Sequence, residues 1–168
     1  MSPVNKIFLL IFLATAVSVL SVQAQSPLDS LPLRNTKGKL VSCASVMKQH
    51  PLAMVCFWSI NSESSIRELT AISQRYARLK QPVGFSLLAI CVDEGNLQSR
   101  MRNTALQNEW VFDVYADVDG GLQHALHFSA PPQSMILNKG EVVYQQSGFE
   151  AGSETYLFSK IQLLGTGN

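Results

Sequence analysis

Two stretches of the chain, Leu52-Ala53-Met54-Val55-Cys56-Phe57-Trp58 and Gly84-Phe85-Ser86-Leu87-Leu88-Ala89-Ile90-Cys91-Val92, are almost wholly apolar and of strand length. Runs with no polar alternation predict strands buried on both faces, the habit of a parallel sheet. Between them Ile66, Leu69, Ile72, Tyr76 and Leu79 recur at helical spacing, which predicts an amphipathic helix ending before Pro82. Asn61, Ser62 and Ser65 are candidate N-caps, and Ser65-Ile66-Arg67-Glu68 has the capping-box pattern.

Polar punctuation divides the rest. Leu31 to Val41 reads as a hairpin turning at Lys37-Gly38, after which Ser42 caps a short helix leading to Gln49, with Pro51 as its stop. Beyond Asp93-Glu94-Gly95, a helix is predicted from Asn96 to Trp110 with Leu97, Met101, Leu106 and Trp110 inward. A weaker strand pattern, Trp110 to Tyr115, precedes the turn Asp117-Val118-Asp119-Gly120-Gly121 and a short helix through His127. Gln133–Leu137 and Glu141–Tyr144 form a second hairpin around Asn138-Lys139-Gly140. A closing helix from Ser153 buries Tyr156, Leu157, Ile161 and Leu164. The succession is α/β, with a central mixed sheet and helices on both faces.

The N-terminus changes the picture of where this domain works. Lys6, the apolar run Ile7 to Val17 and the small residues of Val22-Gln23-Ala24 have the layout of a secretory signal, so residues 1–24 are expected to be cleaved and 25–168 to be one domain. An uncleaved anchor is the competing reading, and the run falls short of the roughly 20 residues that span a bilayer. The 168-residue chain has 13 basic and 12 acidic residues. Cleavage would remove Lys6 alone among the charged residues and leave a formally neutral domain. No basic face directs it to nucleic acid or an anionic membrane.

Cys43, Cys56 and Cys91 are too few for a disulfide scaffold and match no zinc spacing. Cys56 and Cys91 lie within the apolar runs and read as small buried hydrophobes, whereas Cys43 lies in a polar segment and reads as the more exposed thiol. His124 and His127, at i, i+3, lack a carboxylate partner for a metal, and no Gly-x-Ser-x-Gly motif surrounds Ser62. Neither a metal nor a cofactor is expected.

With its order of elements, the chain resembles the thioredoxin superfamily, and more closely its secreted TlpA/ResA-like redoxin branch. Four stretches carry the resemblance: the hairpin from Leu33 to Ser42; Phe57-Trp58; Ser62-Glu63-Ser64-Ser65 in the Cys-x-x-Cys slot; and Ala130-Pro131-Pro132 leading into Gln133–Gly140. The resemblance implies a thioredoxin-like fold with an N-terminal hairpin extension, and a cis-proline at Pro132. It also implies a surface of Trp58, Ile60, Asn61, Ser62, Glu63, Pro131 and Pro132 that receives extended polypeptide.

Two departures from the family pattern bear on activity. Ser62 and Ser65 stand where the redox cysteines belong, and a hydroxyl cannot form a disulfide. Pro131 removes a backbone N–H that a bound peptide would use. The structural reading of Ser62, Ser64 and Ser65 as good helix-start residues, and of Glu63 as a first-turn acid favoured by the helix dipole, stands beside the functional one. The expectation is an exported, periplasmic or secreted protein without disulfide-exchange activity that binds an extended polypeptide or envelope protein as a scaffold. The alternatives are an oxidoreductase or peroxidase-like protein using Cys43, and a structural subunit of an envelope complex.

Overall fold

The computed structural model describes residue 28, residues 30–47 and residues 51–165. The expected signal segment and the expected ending of the first helix at Gln49, with His50, lie outside the described residues. Among the described residues, seven strands form one mixed sheet in the order β2-β1-β5-β4-β3-β6-β7. These are β1 (Pro32–Asn35), β2 (Leu40–Ser42), β3 (Leu52–Trp58), β4 (Ser86–Cys91), β5 (Val114–Asp117), β6 (Gln133–Asn138) and β7 (Glu141–Ser147). β3, β4 and β5 run parallel, while β6 and β1 flank them antiparallel.

Among the described residues, five helices cover the sheet: α1 (Cys43–Met47), α2 (Glu63–Val83), α3 (Gln98–Gln107), α4 (Gly121–Ala125) and α5 (Glu154–Gly165). The strict period of two along β3 assigns its side chains. Met54, Cys56 and Trp58 meet Leu69, Ile72, Met101, Leu157 and Phe158 from α2, α3 and α5. Ala53, Val55 and Phe57 meet Cys43 of α1 and Leu122 of α4 on the other face. Every residue of β3 and β4 is buried, as the unbroken apolar runs require.

Several boundaries differ from the sequence reading. α2 passes Pro82 and ends at Val83; a proline so near a helix terminus forfeits a hydrogen bond where few turns depend on it. The third parallel strand starts at Val114, because Trp110 N–H closes the end of α3 on Ala105 O and Val111 N–H donates to Ser73 Oγ. Those backbone groups are therefore engaged outside the sheet. α3 is shorter than expected, and Leu106 is exposed. In α5 the inward stripe is Leu157, Phe158 and Ile161, with Tyr156 exposed. α4 stops at Ala125, and β7 continues to Ser147. Cys43, expected to be the exposed thiol, is 1% exposed, since the first residue of α1 turns into the core beside Leu33 and Val55.

Candidate functional site at the junction of β3 and α2

The chain leaves β3 at Trp58 and must reverse within four residues to start α2. Asp93, just past the end of neighbouring β4, fixes that turn. Its carboxylate accepts from Ser59 Oγ and from Ile60 N–H, both at 2.7 Å, and from the Cys91 thiol at 3.3 Å. Ser59 in turn accepts Asn61 N–H on its hydroxyl at 3.1 Å and Ser62 N–H on its carbonyl at 3.2 Å.

Ser62 is the N-cap. Its carbonyl receives Ile66 N–H at 3.1 Å, and its Oγ receives Ser65 N–H at 3.2 Å and Ser65 Oγ–H at 2.9 Å. Ser64 Oγ lies 3.1 Å from the same oxygen. The capping box expected from Ser65 and Glu68 does not form, because Ser65 is already the third residue of the helix and Glu68 turns inward. Ser65 is wholly buried, and Ser62 is half-buried.

The exposed rim is polar. Glu63 pairs with Arg67 at 3.6 Å across one helical turn, and both side chains are mostly in solvent, where such pairs contribute little. Asn61 Oδ1 accepts from Arg100 of α3 at 3.2 Å. Across the sheet, Phe57 is in register with Gln133, so Pro131 and Pro132 lie at the sheet end where β3 stops. The Pro131–Pro132 peptide bond is cis. Pro132 O accepts Gly148 N–H at 2.8 Å, and Gln133 Oε1 accepts Ser129 N–H and Oγ–H at 3.2 and 3.1 Å. Pro132 is buried and Pro131 half-buried.

Trp58 does not belong to this surface. It is 0% exposed, and its ring meets Trp110 edge-on at 5.1 Å. The parity that sends Met54 and Cys56 into the core sends Trp58 there too. Ile60 is half-buried, while Asn61 and Glu63 are exposed. The rim therefore consists of Ile60, Asn61, Ser62, Glu63 and Pro131.

Two residues essential to this arrangement escaped the sequence reading as site components. One is Asp93. The other is Glu68, which is 1% exposed and accepts Ser134 Oγ–H at 2.9 Å. Burial pushes its carboxyl up from 4.5 to about 7; the Ser134 hydrogen bond opposes this, and the nearby Glu154 charge adds to it. Glu68 is in helical phase with Ser65, Leu69 and Ile72, so its place on the inward stripe was a readable signal.

The thiols are withdrawn from solvent. All three cysteines are buried. Burial first, and then the Glu68 charge, pushes the Cys56 thiol well up, and burial raises Cys91 to about 12. Cys43 Sγ contacts Met47 Sδ at 3.7 Å. His124 and His127 are exposed on and just after α4. Among the described residues, no three His, Cys, Asp or Glu side chains converge to hold a metal.

A mixed sheet with two helical layers, a helix launched from the end of β3 and a cis-proline at the same sheet end make up a thioredoxin-like fold. Solved structures agree. A thioredoxin-like protein from Porphyromonas gingivalis is 28% identical, with 85% of this chain and 95% of that one covered and a TM-score of 0.70. A secreted Mycobacterium tuberculosis disulfide oxidoreductase homologous to E. coli DsbE is 16% identical, covering 83% and 99% at a TM-score of 0.67. StoA from Bacillus subtilis is 19% identical, covering 76% and 94% at a TM-score of 0.60. The neighbours' folds include those of thiol-disulfide oxidoreductases. No protein-family model and no curated protein matches the sequence.

Proposed function

We propose that the protein is an exported thioredoxin-like module that binds extended polypeptide at the end of β3 and does not exchange disulfides. The observation that carries this reading is the Ser62–Ser65 pair, with Oγ atoms 2.9 Å apart in the slot of the two redox sulfurs, together with the burial of every cysteine. Disulfide exchange begins with a thiolate attacking sulfur, and the resulting mixed disulfide needs a second thiol for release. Ser62 and Ser65 supply neither. Burial of Cys43 argues against it as a substitute nucleophile.

Binding is supported by what the site keeps. The turn is pinned by Asp93, Ser62 starts the helix, and the rim presents Asn61 and Glu63 beside Pro131. Because Pro131 lacks an N–H, the main chain at that position offers a ligand a carbonyl acceptor and no donor. Export rests on the pattern of residues 1–24 and agrees with the secreted character of the DsbE-like neighbour. Among the described residues no helix is long and apolar enough to cross a membrane.

The test uses residues 25–168 and a fluorescently labelled, reduced and carboxymethylated α-lactalbumin as an extended probe. Anisotropy is expected to report binding that Asn61→Arg with Glu63→Arg weakens about tenfold, equivalent to ~1.4 kcal/mol. Equal affinity for both proteins would sink the binding reading. Turnover of insulin disulfides by the unmodified chain would sink the redox reading.

A further inference from the structure

A cavity of about 580 Å³ opens where β4 begins and where the chain enters β5, and its size falls within the range of small-molecule sites. Ser86 lines it at the start of β4, whereas Cys91 at the other end of that strand is in register with Trp58 beside the Ser62 turn. The two places are therefore at opposite ends of the sheet. Its aromatic residues are packed on one another: Trp110 stacks on Phe112 at 5.6 Å, and Tyr76 meets Phe85 and Phe112 edge-on at 5.3 and 6.1 Å. They frame the cavity, and polar groups are what it presents.

Two of those groups are buried hydroxyls. Ser86 is 9% exposed and Tyr115 8% exposed, and neither side chain has a hydrogen-bond partner among the described residues. The unpartnered side-chain polar atoms closed off from solvent there are Trp58 Nε1 and Glu154 Oε2, so the oxygens of Ser86 and Tyr115 stay open to the space they line. From α1, Ser45 donates its hydroxyl to Ser42 O at 2.7 Å, which leaves its oxygen as an acceptor. Asp113 adds a carboxylate at the exposed mouth. Its charge reaches inward: burial first, then Asp113, and then Tyr76, push the Tyr115 phenol up to about 12.

This inventory selects a ligand. Asp113 and Ser45 offer acceptors, while Ser86 and Tyr115 can donate or accept, so the complement must be rich in donors. No cationic side chain is among the described lining residues, which leaves an anion nothing to neutralise it. An ammonium would exchange its hydration for one solvent-screened carboxylate. We propose that this cavity binds a small uncharged polyhydroxylated molecule of monosaccharide size, whose hydroxyls donate to Asp113 and Ser45 and exchange hydrogen bonds with Tyr115 and Ser86.

The probes are D-glucose, D-galactose, D-mannose, myo-inositol and glycerol, with choline and D-gluconate as charged comparators. Titration into the full chain, read by NMR of the Trp110 indole N–H and the Asp113 and Tyr115 amides, is expected to show saturable binding of at least one neutral probe. That probe should bind at least about tenfold more tightly than either charged comparator. Tyr115→Phe, which conserves the ring and orphans no partner, should weaken it about tenfold, and Asp113→Ala, at an exposed position, by about tenfold or more. Asn61→Arg with Glu63→Arg should leave it unchanged, so the outcome is independent of the polypeptide-binding reading. Absence of binding by every neutral probe, a charged comparator that binds as tightly, or undiminished binding in either Tyr115→Phe or Asp113→Ala would overturn the proposal.

Discussion

Replacing Glu68 with Gln should make the protein's stability less sensitive to pH, and the buried network states by how much. The carboxyl is 1% exposed, packed over Cys56 of β3 and hydrogen-bonded by Ser134 of β6. Glu154, held on one oxygen by Arg75 at 3.4 Å, is the acidic neighbour, and its Oε2 is buried with no hydrogen-bond partner among the described residues. Burial raises Glu68 from 4.5 to about 7, so the folded chain holds this proton over a pH range in which the unfolded chain has released it. Stability from this group is therefore fully present below about 4.5 and is lost as pH rises through about 7. The displacement corresponds to on the order of 3 kcal/mol.

Glu68→Gln keeps the side-chain length and the acceptor for Ser134 but cannot titrate. Urea unfolding followed by tryptophan fluorescence, from about pH 5 to about pH 8, should show nearly equal stabilities at the acidic end. At the alkaline end the variant should exceed the parent by up to ~3 kcal/mol. Ser134→Ala, which removes the hydrogen bond favouring the charged carboxylate, should extend the parent's decline to higher pH. Parallel profiles for the parent and Glu68→Gln would refute the argument, because another group would then have to carry the pH dependence.

Three further outcomes follow from the same contacts. Ser62→Ala removes the N-cap and leaves the buried Ser65 hydroxyl without the acceptor it now uses, so urea unfolding should show a loss of about 1–2 kcal/mol. Ser62→Cys with Ser65→Cys should form a disulfide on oxidation and gain insulin reduction, since the turn and helix start are in place; a double variant that stays inert would show that the retained site is deficient beyond its sulfurs. Native Cys43, Cys56 and Cys91 should resist a thiol reagent at about pH 8 and all react in denaturant, whereas one rapidly labelled native thiol would reopen a cysteine-based activity.

The strands buried on both faces were the most legible part of the fold, because burial on both sides leaves no polar alternation to misread. Leu52–Trp58 is β3 with both ends as predicted. The third parallel strand was misplaced for a different reason: Trp110 to Asp113 is apolar enough to imitate a strand, while its backbone N–H groups are claimed by Ala105 and by a serine on α2. The serine contact spans 38 residues and leaves no local trace. Helix phase was also underdetermined where apolar residues outnumbered the inward positions. In α5, Tyr156, Leu157 and Phe158 are consecutive, and packing against α2, β3 and β6 selects the latter two.

At the site, resemblance located the segment and parity corrected its membership. Trp58 follows Met54 and Cys56 at intervals of two, so the buried face of β3 claims it regardless of where a related surface would display a tryptophan. Asp93 was beyond local reading, because nothing around it announces contacts 33 and 34 residues away. Yet these contacts determine how the serine pair is presented. The loop is fixed by a carboxylate outside the motif, and Ser62 Oγ accepts both the N–H and the hydroxyl of Ser65. Its lone pairs are thus committed to starting the helix. The serine pair and the proposed surface are therefore physically compatible: the hydroxyls help maintain the turn that the proposed binding function needs, while lacking the chemistry that disulfide exchange requires.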